Sequence, residues 1–478
     1  MNENVKISPD IVKNRKKYDL DFPKSTSVDI IKNHFYIAGR DASIYHINGM
    51  LNTDAMVKIL TLFSGIDKRE LDECESITEF AKRFVPYTDY KPEKDYNLTV
   101  DAVLSAQCVL IIDGYCEALI LDTKIYPTRT ISEPEKNKTM RGPRDGFTES
   151  IITNTSLIRR RIKTTSLAFE MFEIGTETKT KIIMGYVSGK ADERFVTQLR
   201  KKLSKITMPS LTLTQEALVQ ELFKTKGFKT LNPFPKVRFI ERPDTASSML
   251  LEGKIMLLCD TSPTAIFLPI SVYDFIEETD DYYFPPLTAT YMRILRIGII
   301  FLSVILSPLW LLLTKEVITL PETMGFLTKT PESTVPFWIQ LLLIELTVDA
   351  LKIASLNTPN AISNSLGVVS GLLLGEFAIQ VGWFVPQTIL YSSICAIANY
   401  IPTNYELGYS IKFWRMSLIV FVELWKVWGF VINIVLFFII LSMNKTADGK
   451  SYLFPFSPFS KQGVKKFFVR TKSGKEKT

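Results

Sequence analysis

Residue types suited to metal binding or catalysis are sparse in this 478-residue chain. Only two histidines occur, His34 and His46, which are too few for most zinc sites or for a catalytic triad. Five cysteines lack CxxC or other metal-binding spacing: Cys74, Cys108, Cys116, Cys259 and Cys395. Such a set is typical of reduced thiols in a cytosolic compartment. P-loop, dinucleotide-binding, zinc-protease and hydrolase motifs are missing from the sequence, which therefore predicts neither an enzyme nor a cofactor or metal site.

Arginines are concentrated in one segment, RGPRDGFTESIITNTSLIRRRI, at residues 141–162. The loop at its start could present backbone N–H groups and two guanidiniums to an anion. The stretch that follows predicts a helix ending in three arginines, which suits the helix dipole and allows pairing with acidic residues of a neighbouring subunit. We favour a structural or interface role over a phosphate site. The interface candidates are Arg141, Arg144, Asp145, Arg159, Arg160 and Arg161.

Acidic residues interrupt the apolar second half of the chain. Glu345 and Asp349 lie one turn apart on a predicted helix, and Glu376 and Gln380 form a similar pair on another. A carboxylate that faces lipid costs roughly 2.5–3.5 kcal/mol, so these side chains predict contact with water, a cation or a partner. All four are candidates for a pore or ion pathway. The alternative for Glu376 is a hydrogen bond to a neighbouring helix or an ion pair with Lys426.

Small residues form a stripe on an adjoining face of the helix that carries Glu376: Gly367, Gly371 and Gly375. Such stripes let membrane helices approach closely, so this one predicts packing against a neighbouring helix. In a symmetric oligomer, one Glu376 from each subunit would form an acidic ring, and acidic rings favour cations. Glu345 and Asp349 would form a second ring at the mouth of the pathway.

The first 285 residues predict a soluble α/β region in which basic and acidic residues balance. That balance argues against nucleic-acid binding, which needs a basic excess. An Asp113-Gly114 pair between two apolar runs predicts a two-residue hairpin turn that places Cys108 opposite Leu119. The expected segments are a flexible N-terminal arm at 1–30, a small α/β subdomain at 31–140, an Arg-rich connection at 141–165 and a second small α/β subdomain at 166–285.

The remaining residues predict a polytopic α-helical membrane domain. The expected segments are the membrane domain at 286–445, with four to six spans, and a basic cytoplasmic tail at 446–478. Arg293 and Arg296 precede the first span and place that end in the cytoplasm. The tail belongs on the same side, so the number of crossings is even. Six crossings result if 335–353 crosses and 411–443 is a hairpin; four result if 335–353 lies in the interface and 411–443 is one long span.

The arginine segment also carries a family resemblance. It resembles the signature RGPR-(D/E)-GF-x-E followed by NT-(A/S)-LIRRRI of the GerA family of spore germination proteins. Further resembling motifs are IIDG at 111–114, ALILD at 118–122, ERPD at 241–244 and LCDTSP at 258–263. The similarity extends from about residue 35 to about residue 460 and therefore covers nearly the whole chain.

The resemblance implies a cytoplasmic α/β region joined to a polytopic domain in the spore inner membrane, with both termini in the cytoplasm. It implies a homo-oligomer, pentameric in the family, that conducts cations in contact with membrane lipid. A small membrane partner or germinant-receptor subunits would accompany it. We therefore expect a membrane subunit of a spore germination complex that releases ions. The alternative is a non-conducting signalling or scaffold subunit of a nutrient receptor.

Overall fold

The chain forms two compact units in the computed structural model. The structure describes residues 5–86, 88–126, 142–211, 214–224, 232–278, 280–315, 321–328, 331, 333–358, 367–401 and 404–469. Unit 1 contains Met1–Lys224 and Phe239–Pro269, and unit 2 contains Thr225–Arg238 and Ile270–Thr478. Unit 1 is built on two β-sheets, and the described part of unit 2 is mainly helical.

The first sheet of unit 1 is covered by helices on both faces. Its strands are β1 (Ile30–Ile37), β2 (Arg40–Ile47), β3 (Tyr90–Glu93), β4 (Cys108–Ile112) and β5 (Ala118–Leu121). They lie in the antiparallel order β1-β2-β4-β5-β3. One face packs on α1 (Ile11–Asp21) and α5 (Tyr96–Leu104), and the other on α2 (Thr53–Ser64), α3 (Lys68–Asp72) and α4 (Ile77–Phe84). Both faces are buried, so β4 is apolar throughout instead of alternating.

The second sheet repeats this arrangement. Its strands are β6 (Leu167–Ile174), β7 (Thr180–Val187), β8 (Arg238–Ile240), β9 (Ile255–Cys259) and β10 (Ala265–Leu268), in the order β6-β7-β9-β10-β8. Its helices are α6 (Ile151–Arg161), α7 (Glu193–Leu203), α8 (Thr214–Leu222) and α9 (Pro243–Leu251). We call α1 to β5 repeat 1 and α6 to β10 repeat 2. The two repeats share the order of strand, helix and hairpin.

The first helix of each repeat is docked by the same contacts. An asparagine amide folds back onto the backbone just before the helix: Asn14 Nδ2 to Ser8 O at 2.7 Å, and Asn154 Nδ2 to Thr148 O at 2.6 Å. The first N–H of each helix points to an aspartate in the hairpin of its own repeat: Ile11 N to Asp113 Oδ1 at 3.1 Å, and Ile151 N to Asp260 Oδ1 at 3.4 Å. These matching contacts make α1 and α6 equivalent elements.

This docking explains why the expected two-residue turn at Asp113-Gly114 is wrong. Cys108 lies opposite Leu121 instead of Leu119, because the connection between β4 and β5 extends over residues 113–117. The Asp113 carboxylate accepts from α1, and the Gly114 N–H donates to the carbonyl of Pro9 at 2.9 Å. The turn residues therefore bind the first helix instead of closing a tight hairpin.

The expected flexible arm at 1–30 is also wrong, because α1 belongs to the core of repeat 1. Tyr18 is fully buried, its hydroxyl donates to Thr99 Oγ1 at 2.6 Å, and its ring stacks on Tyr45 with centroids 4.0 Å apart. Asp10 caps the helix by accepting from the Val12 N–H. Many charged residues on its exposed side obscure the narrow buried stripe in the sequence.

Unit 2 begins earlier in the sequence than the expected boundary at 285. Its helices are α10 (Val272–Ile276), α11 (Asp280–Tyr283), α12 (Pro286–Thr314), α13 (Phe337–Leu356), α14 (Gly367–Gln380), α15 (Pro386–Ala398), α16 (Tyr405–Met443) and α17 (Lys461–Phe468). Residues 270–285 belong with them because α10 and α11 bind other parts of this unit. The Val272 N–H donates to Tyr452 O at 3.0 Å, and buried Asp281 pairs with Arg293 at 3.0 Å and Arg296 at 3.3 Å.

Two helices among the described residues are long and apolar enough to cross a membrane, α12 and α16, with mean hydropathies of 2.4 and 2.3 in their most apolar windows. In α16, Lys426 has non-helical angles, with φ 51° and ψ −125°, and the chain reverses there. Asn433 Nδ2 donates to Ser417 Oγ at 2.8 Å, and the Trp414 and Phe437 rings meet at 5.3 Å. Residues 405–425 and 427–443, the first and second arms, therefore form the helical hairpin that was one of the two expectations for 411–443.

Contacts within unit 2 fix the directions of its helices. We call the end of the bundle where α12 begins the near end, and the other the far end. Helices α13 and α15 run antiparallel to α12, and the first arm runs parallel to it. Trp310, near the end of α12, contacts Phe337 at the start of α13 and Tyr391 of α15. Ser303, earlier in α12, contacts Cys395 of α15 and Arg415 of the first arm. Lys315, just after α12, pairs with Glu423 near the end of the first arm. Helix α13 stops at the near end, and Gly382, just after α14, lies beside Ser333 at the far end.

We expect Tyr18→Ala to lower the free energy of unfolding of repeat 1 by about 3–5 kcal/mol, because it opens a cavity where a large aromatic side chain is buried. Tyr18→Phe removes only the hydroxyl and should cost about 1 kcal/mol. The readout is thiol labelling of buried Cys108 in the full chain during a urea titration, since all six tryptophans lie in unit 2. Lys13→Ala, on the exposed face of α1, is the control. Unchanged labelling in Tyr18→Ala would contradict a structural role for α1.

Candidate functional site

The arginine-rich helix α6 joins the two repeats through Arg159. This side chain is 1% exposed and forms a bidentate ion pair with buried Asp29, with Nε–Oδ2 at 2.6 Å and Nη2–Oδ1 at 3.1 Å. It also donates to the carbonyls of Thr164 and Leu167 and lies over the Phe169 ring. Asp29 precedes β1 in repeat 1, whereas the other partners lie in repeat 2, so one guanidinium fastens the two repeats together.

The remaining interface candidates fall into two groups. Arg161 pairs with Asp145 Oδ2 at 2.5 Å and donates to the carbonyl of Leu157, so its guanidinium is bound within the chain. Arg160 is exposed and lies 4.5 Å from the centroid of the Tyr126 ring, and Arg144 is exposed. Arg141 lies outside the described residues.

Arg159 therefore corrects the sequence expectation of an intersubunit contact, because its charge is compensated by Asp29 of the same chain. Only Arg144 and Arg160 present guanidinium groups at the surface of the described segment. Arg161 is held by Asp145, and the anion-binding alternative for the loop stays a prediction because Arg141 lies outside the described residues.

In unit 2, α14 presents its polar residues to the outside of the chain. Glu376 is exposed and lies in a π-helical turn, Leu373–Phe377. Within the part of the chain that the structure describes, Glu376 has no ion-pair partner, and the alternative pair with Lys426 is not formed. Gln380, one turn later, is also exposed. π-Helical turns occur often at functional sites, so this geometry keeps Glu376 and Gln380 as candidates.

The glycine stripe of α14 is open as well. A Cβ atom added at Gly367, Gly371 or Gly375 would meet nothing within 4 Å. Apolar side chains around the stripe are exposed too, among them Val368 at 67% and Phe377 at 55%. The stripe thus has no neighbouring helix within the described chain. Its packing against a helix stays a prediction, and that helix would belong to another molecule.

Glu345 and Asp349 have a different environment. Glu345 is 3% exposed, and its carboxylate meets Arg415 Nε at 2.8 Å and Lys412 Nζ at 3.2 Å. Asp349 lies 2.6 Å from the same Lys412 ammonium. Two buried cations compensate the charge of Glu345, so its carboxylate is not available to a mobile ion in this arrangement. Glu345 therefore does not belong to the expected second acidic ring. Asp349 is partly exposed but shares Lys412.

This buried charge network connects four helices of unit 2. Arg415, on the first arm of α16, is completely buried and donates to the Ser303 carbonyl of α12 at 3.0 Å and to Asn399 Oδ1, just after α15, at 3.4 Å. Glu345 contributes α13. Lys352, one helical turn beyond Asp349, lies over the Tyr400 ring at 4.4 Å. Because Arg415 holds several elements at once, it positions the bundle as a whole.

The sequence analysis did not select Lys412 and Arg415. The available signal is their spacing: two cations three residues apart at one end of an apolar run match two carboxylates four residues apart on another apolar helix. Paired charges of that kind are the usual way in which ionisable groups persist inside membrane helices.

Buried thiols and the placement of possible metal ligands do not support nucleophilic or metal chemistry in the described part of unit 1. Burial raises the pKa of the Cys259 thiol to about 12 and also raises that of Cys108, so neither is a ready nucleophile. Among the described residues, no group of three or more His, Cys, Asp or Glu side chains could hold a metal ion.

We expect Arg159→Ala to lower the free energy of unfolding of unit 1 by about 3–5 kcal/mol, because Asp29 would remain buried without its partner. Thiol labelling of Cys259 during denaturant unfolding of the full chain measures this. Arg160→Ala is the matched control on the next residue, and its loss of one exposed cation–π contact should cost at most about 1 kcal/mol. Equal stability of the two variants would show that the ion pair does not fasten the repeats.

Comparison with known proteins identifies the family. The family described as Bacillus/Clostridium GerA spore germination protein matches residues 20–478. Stage V sporulation protein AF of Bacillus subtilis (strain 168) is 30% identical over 469 residues, covering 98% of this chain and 94% of that protein. Spore germination protein KA of the same organism is 27% identical, covering 98% of this chain and 85% of that protein.

One solved structure is also similar: the crystal structure of the N-terminal domain of the A subunit of the Bacillus megaterium spore germinant receptor GerK3. It is 24% identical and aligns with a TM-score of 0.43, covering 56% of this chain and 97% of that domain. The family match spans nearly all of the chain and includes the arginine segment and the helices of unit 2. The chain therefore belongs to the GerA family of spore germination proteins, as its arginine-rich signature predicted.

Proposed function

We propose that this chain is a multi-pass membrane subunit of a spore germination complex, without catalytic activity, that assembles as a homo-oligomer and conducts cations along α14. Its relatives are named as spore germination and sporulation proteins, which supports the germination role. Germinant-receptor subunits are the partners that this role would require. The spore inner membrane is the corresponding location, and a small membrane partner is a further candidate.

The helix directions in unit 2 support six crossings. From α12 to the second arm of α16 the chain alternates between the near and far ends, and α13 carries its charged face inside the bundle. The second arm returns to the near end, where Asn444 meets Asn232 and Tyr452 meets α10. An even number of crossings places both termini on one side. The basic tail, with seven basic and one acidic residue in 460–478, favours the cytoplasmic side for both termini, because its charge is attracted to anionic lipid.

The observation that carries the channel proposal is the contrast between Glu376 and the other membrane carboxylates. Glu345, Asp349 and Glu423 each have an ion-pair partner within the chain, at 2.6–2.8 Å for the closest contacts. Glu376 has none among the described residues and is exposed beside an open glycine stripe. A carboxylate in this position needs water, a cation or another subunit around it. An oligomer that packs the glycine stripes together provides all three.

We expect Glu376→Gln to reduce cation flux through liposomes that contain the purified full chain, by about fivefold if roughly 1 kcal/mol of attraction to the ion is lost. Oligomer size on native gels should not change, because the side chain volume is kept. Glu376→Asp retains the charge and is the matched control, with flux close to that of the unchanged chain.

Unchanged flux and selectivity in Glu376→Gln would contradict the pore assignment. If the unchanged chain itself supports no flux while the oligomer forms, the alternative of a non-conducting signalling or scaffold subunit of a nutrient receptor is favoured instead. Labelling of a cysteine placed at position 376 by a water-soluble reagent distinguishes a wet pathway from a dry helix contact.

The two exposed arginines of the family signature give a separate prediction. We expect Arg144→Ala and Arg160→Ala to shift the oligomer toward smaller species on native gels, or to lower the amount of protein in the membrane, without changing the unfolding of unit 1. Normal assembly of both variants would contradict an interface role. Loss of phosphate or nucleotide binding in the same variants would favour an anion site instead.

A further inference from the structure

We propose that copies of this chain associate head to tail by reusing, between molecules, the junction that joins repeat 1 to repeat 2 within one molecule. Helix α1 and strand β1 of one copy would dock on repeat 2 of the next copy. The inference names the contact surface of the proposed homo-oligomer and therefore rests on that part of the proposed function. It does not depend on ion conduction.

The internal junction has a helical part. Ser156 Oγ of α6 donates to the carbonyl of Asn48, in the turn after β2, at 3.0 Å. The neighbouring Gly49 has φ +79°, and a Cβ added there would come within 2.7 Å of both the Ile152 side chain and Ser156. Helix α6 of repeat 2 thus lies directly against the turn that follows the second strand of repeat 1.

The junction also has a strand part. Strand β6 is at the edge of its sheet, and the chain just before β1 pairs with that edge. The Phe169 N–H donates to Thr26 O at 2.7 Å, and the Val28 N–H donates to Phe169 O at 3.4 Å. The Arg159–Asp29 ion pair completes the contact. Repeat 1 therefore supplies residues 26–29 and a glycine turn, and repeat 2 supplies a helix and an edge strand.

Because the repeats are equivalent, repeat 1 carries a copy of the helix and edge strand as well. Strand β1 is the edge of its sheet and pairs only with β2 among the described strands. Val12 occupies in α1 the position of Ile152 in α6 and is 52% exposed. Leu20 occupies the position of Arg160 and is 79% exposed. This surface matches the docking side of repeat 2, but nothing in the described chain covers it.

Repeat 2 carries a copy of the receiving side. Ser188 and Gly189 follow β7 as Asn48 and Gly49 follow β2, and the φ of Gly189, +80°, matches that of Gly49. A Cβ added at Gly189 would meet nothing within 4 Å, so the place that α6 occupies on repeat 1 is open on repeat 2. Residues 163–166 lead into β6 as 26–29 lead into β1, and Lys163 and Thr165 are exposed.

The buried positions of α1 and α6 distinguish the residues that pack on the helix's own sheet from those that contact the other repeat. Both bury the same three positions against their own sheet: Ile11, Asn14 and Tyr18 in α1, and Ile151, Asn154 and Ile158 in α6. Helix α6 also buries Ser156 and Arg159, the two residues that bind repeat 1. Their counterparts in α1, Lys16 and Asp19, are exposed. The junction residues of α6 are thus among the positions at which the two helices differ, together with buried Thr155 and Leu157, whose counterparts Arg15 and Lys17 are partly exposed.

A second copy of the chain is the occupant that this pattern specifies. An exposed edge strand favours pairing with another chain, and repeat 2 of a second copy offers an open counterpart of the surface on which α6 docks within one chain. The contact joins different surfaces on the two molecules, and such heterologous contacts close into rings when the rotation allows it. The charges at the equivalent positions are reversed in sign: Asp19, which pairs with Lys32 of its own chain, stands where Arg159 stands, and Lys163 lies in the segment that corresponds to the one with Asp29.

Cysteine cross-linking in membranes that contain the full chain tests the proposal. Lys16→Cys and Ser188→Cys correspond to Ser156 and Asn48, which are in hydrogen-bond contact, so a disulfide can form between molecules. The background carries Cys116→Ser, because Cys116 is the exposed native cysteine and the other four are buried. Mild oxidation of the double variant should give a ladder of covalent multimers, and mixing the two single variants should give dimers only.

Lys16→Cys combined with Lys201→Cys, an exposed position on α7, is the matched control and should cross-link at background level. A ladder no stronger than this control, in membranes where amine cross-linking shows the oligomer, overturns the docking surface but not the oligomer.

Cross-linking of position 16 to a different protein also overturns the docking surface. A chain that stays monomeric under amine cross-linking overturns both the inference and the proposed oligomer. A ladder together with unchanged flux in Glu376→Gln supports the docking surface and contradicts only the channel.

Discussion

Pairing of buried charges is the constraint on which both units depend. Burying an ion away from water costs several kcal/mol, and only a close counter-charge with additional hydrogen bonds compensates for it. Arg159 with Asp29 meets this condition between the two repeats, and Arg415 with Glu345 meets it among the helices of unit 2. In each case a planar guanidinium also binds backbone carbonyls from a further element. One arginine therefore fixes the relative position of elements that are far apart in the sequence.

The same constraint explains which parts of the structure were predictable. Strands β7, β9 and β10 and helix α7 carry local signals in the sequence, because the strands are apolar runs and the helix has amphipathic spacing. Helix α1 was missed, because only Ile11, Asn14 and Tyr18 face the core and lysines surround them. The hairpin at Asp113 was expected with the wrong register, because its turn residues bind a helix about one hundred positions earlier. Local sequence carries no signal for such a partner.

For the candidate site, the sequence identified the acidic residues but not their environments. Glu345 and Glu376 look alike in the sequence, since each is a carboxylate in an apolar helix with a second polar residue one turn later. The structure separates them: Lys412 and Arg415 reach Glu345 across the bundle, and no described cation reaches Glu376. Which arginine of the signature is structural was equally hidden, because Arg159 and Arg160 are adjacent and differ only in the face of the helix that they occupy.

The packing of the chain after α16 has a consequence for biosynthesis. The Tyr452 hydroxyl donates to the carbonyl of Pro235, 217 positions earlier, and its backbone binds Val272 at the start of α10. Residues 232–238 and α10 leave the ribosome long before their partner does, and they remain incompletely packed until almost the whole polypeptide has been made. Such long-range closure slows folding and leaves the unfinished chain open to proteases. Premature termination upstream of Tyr452 would thus leave residues 232–238 and the start of α10 without these two contacts, even though the other helices of unit 2 were already made.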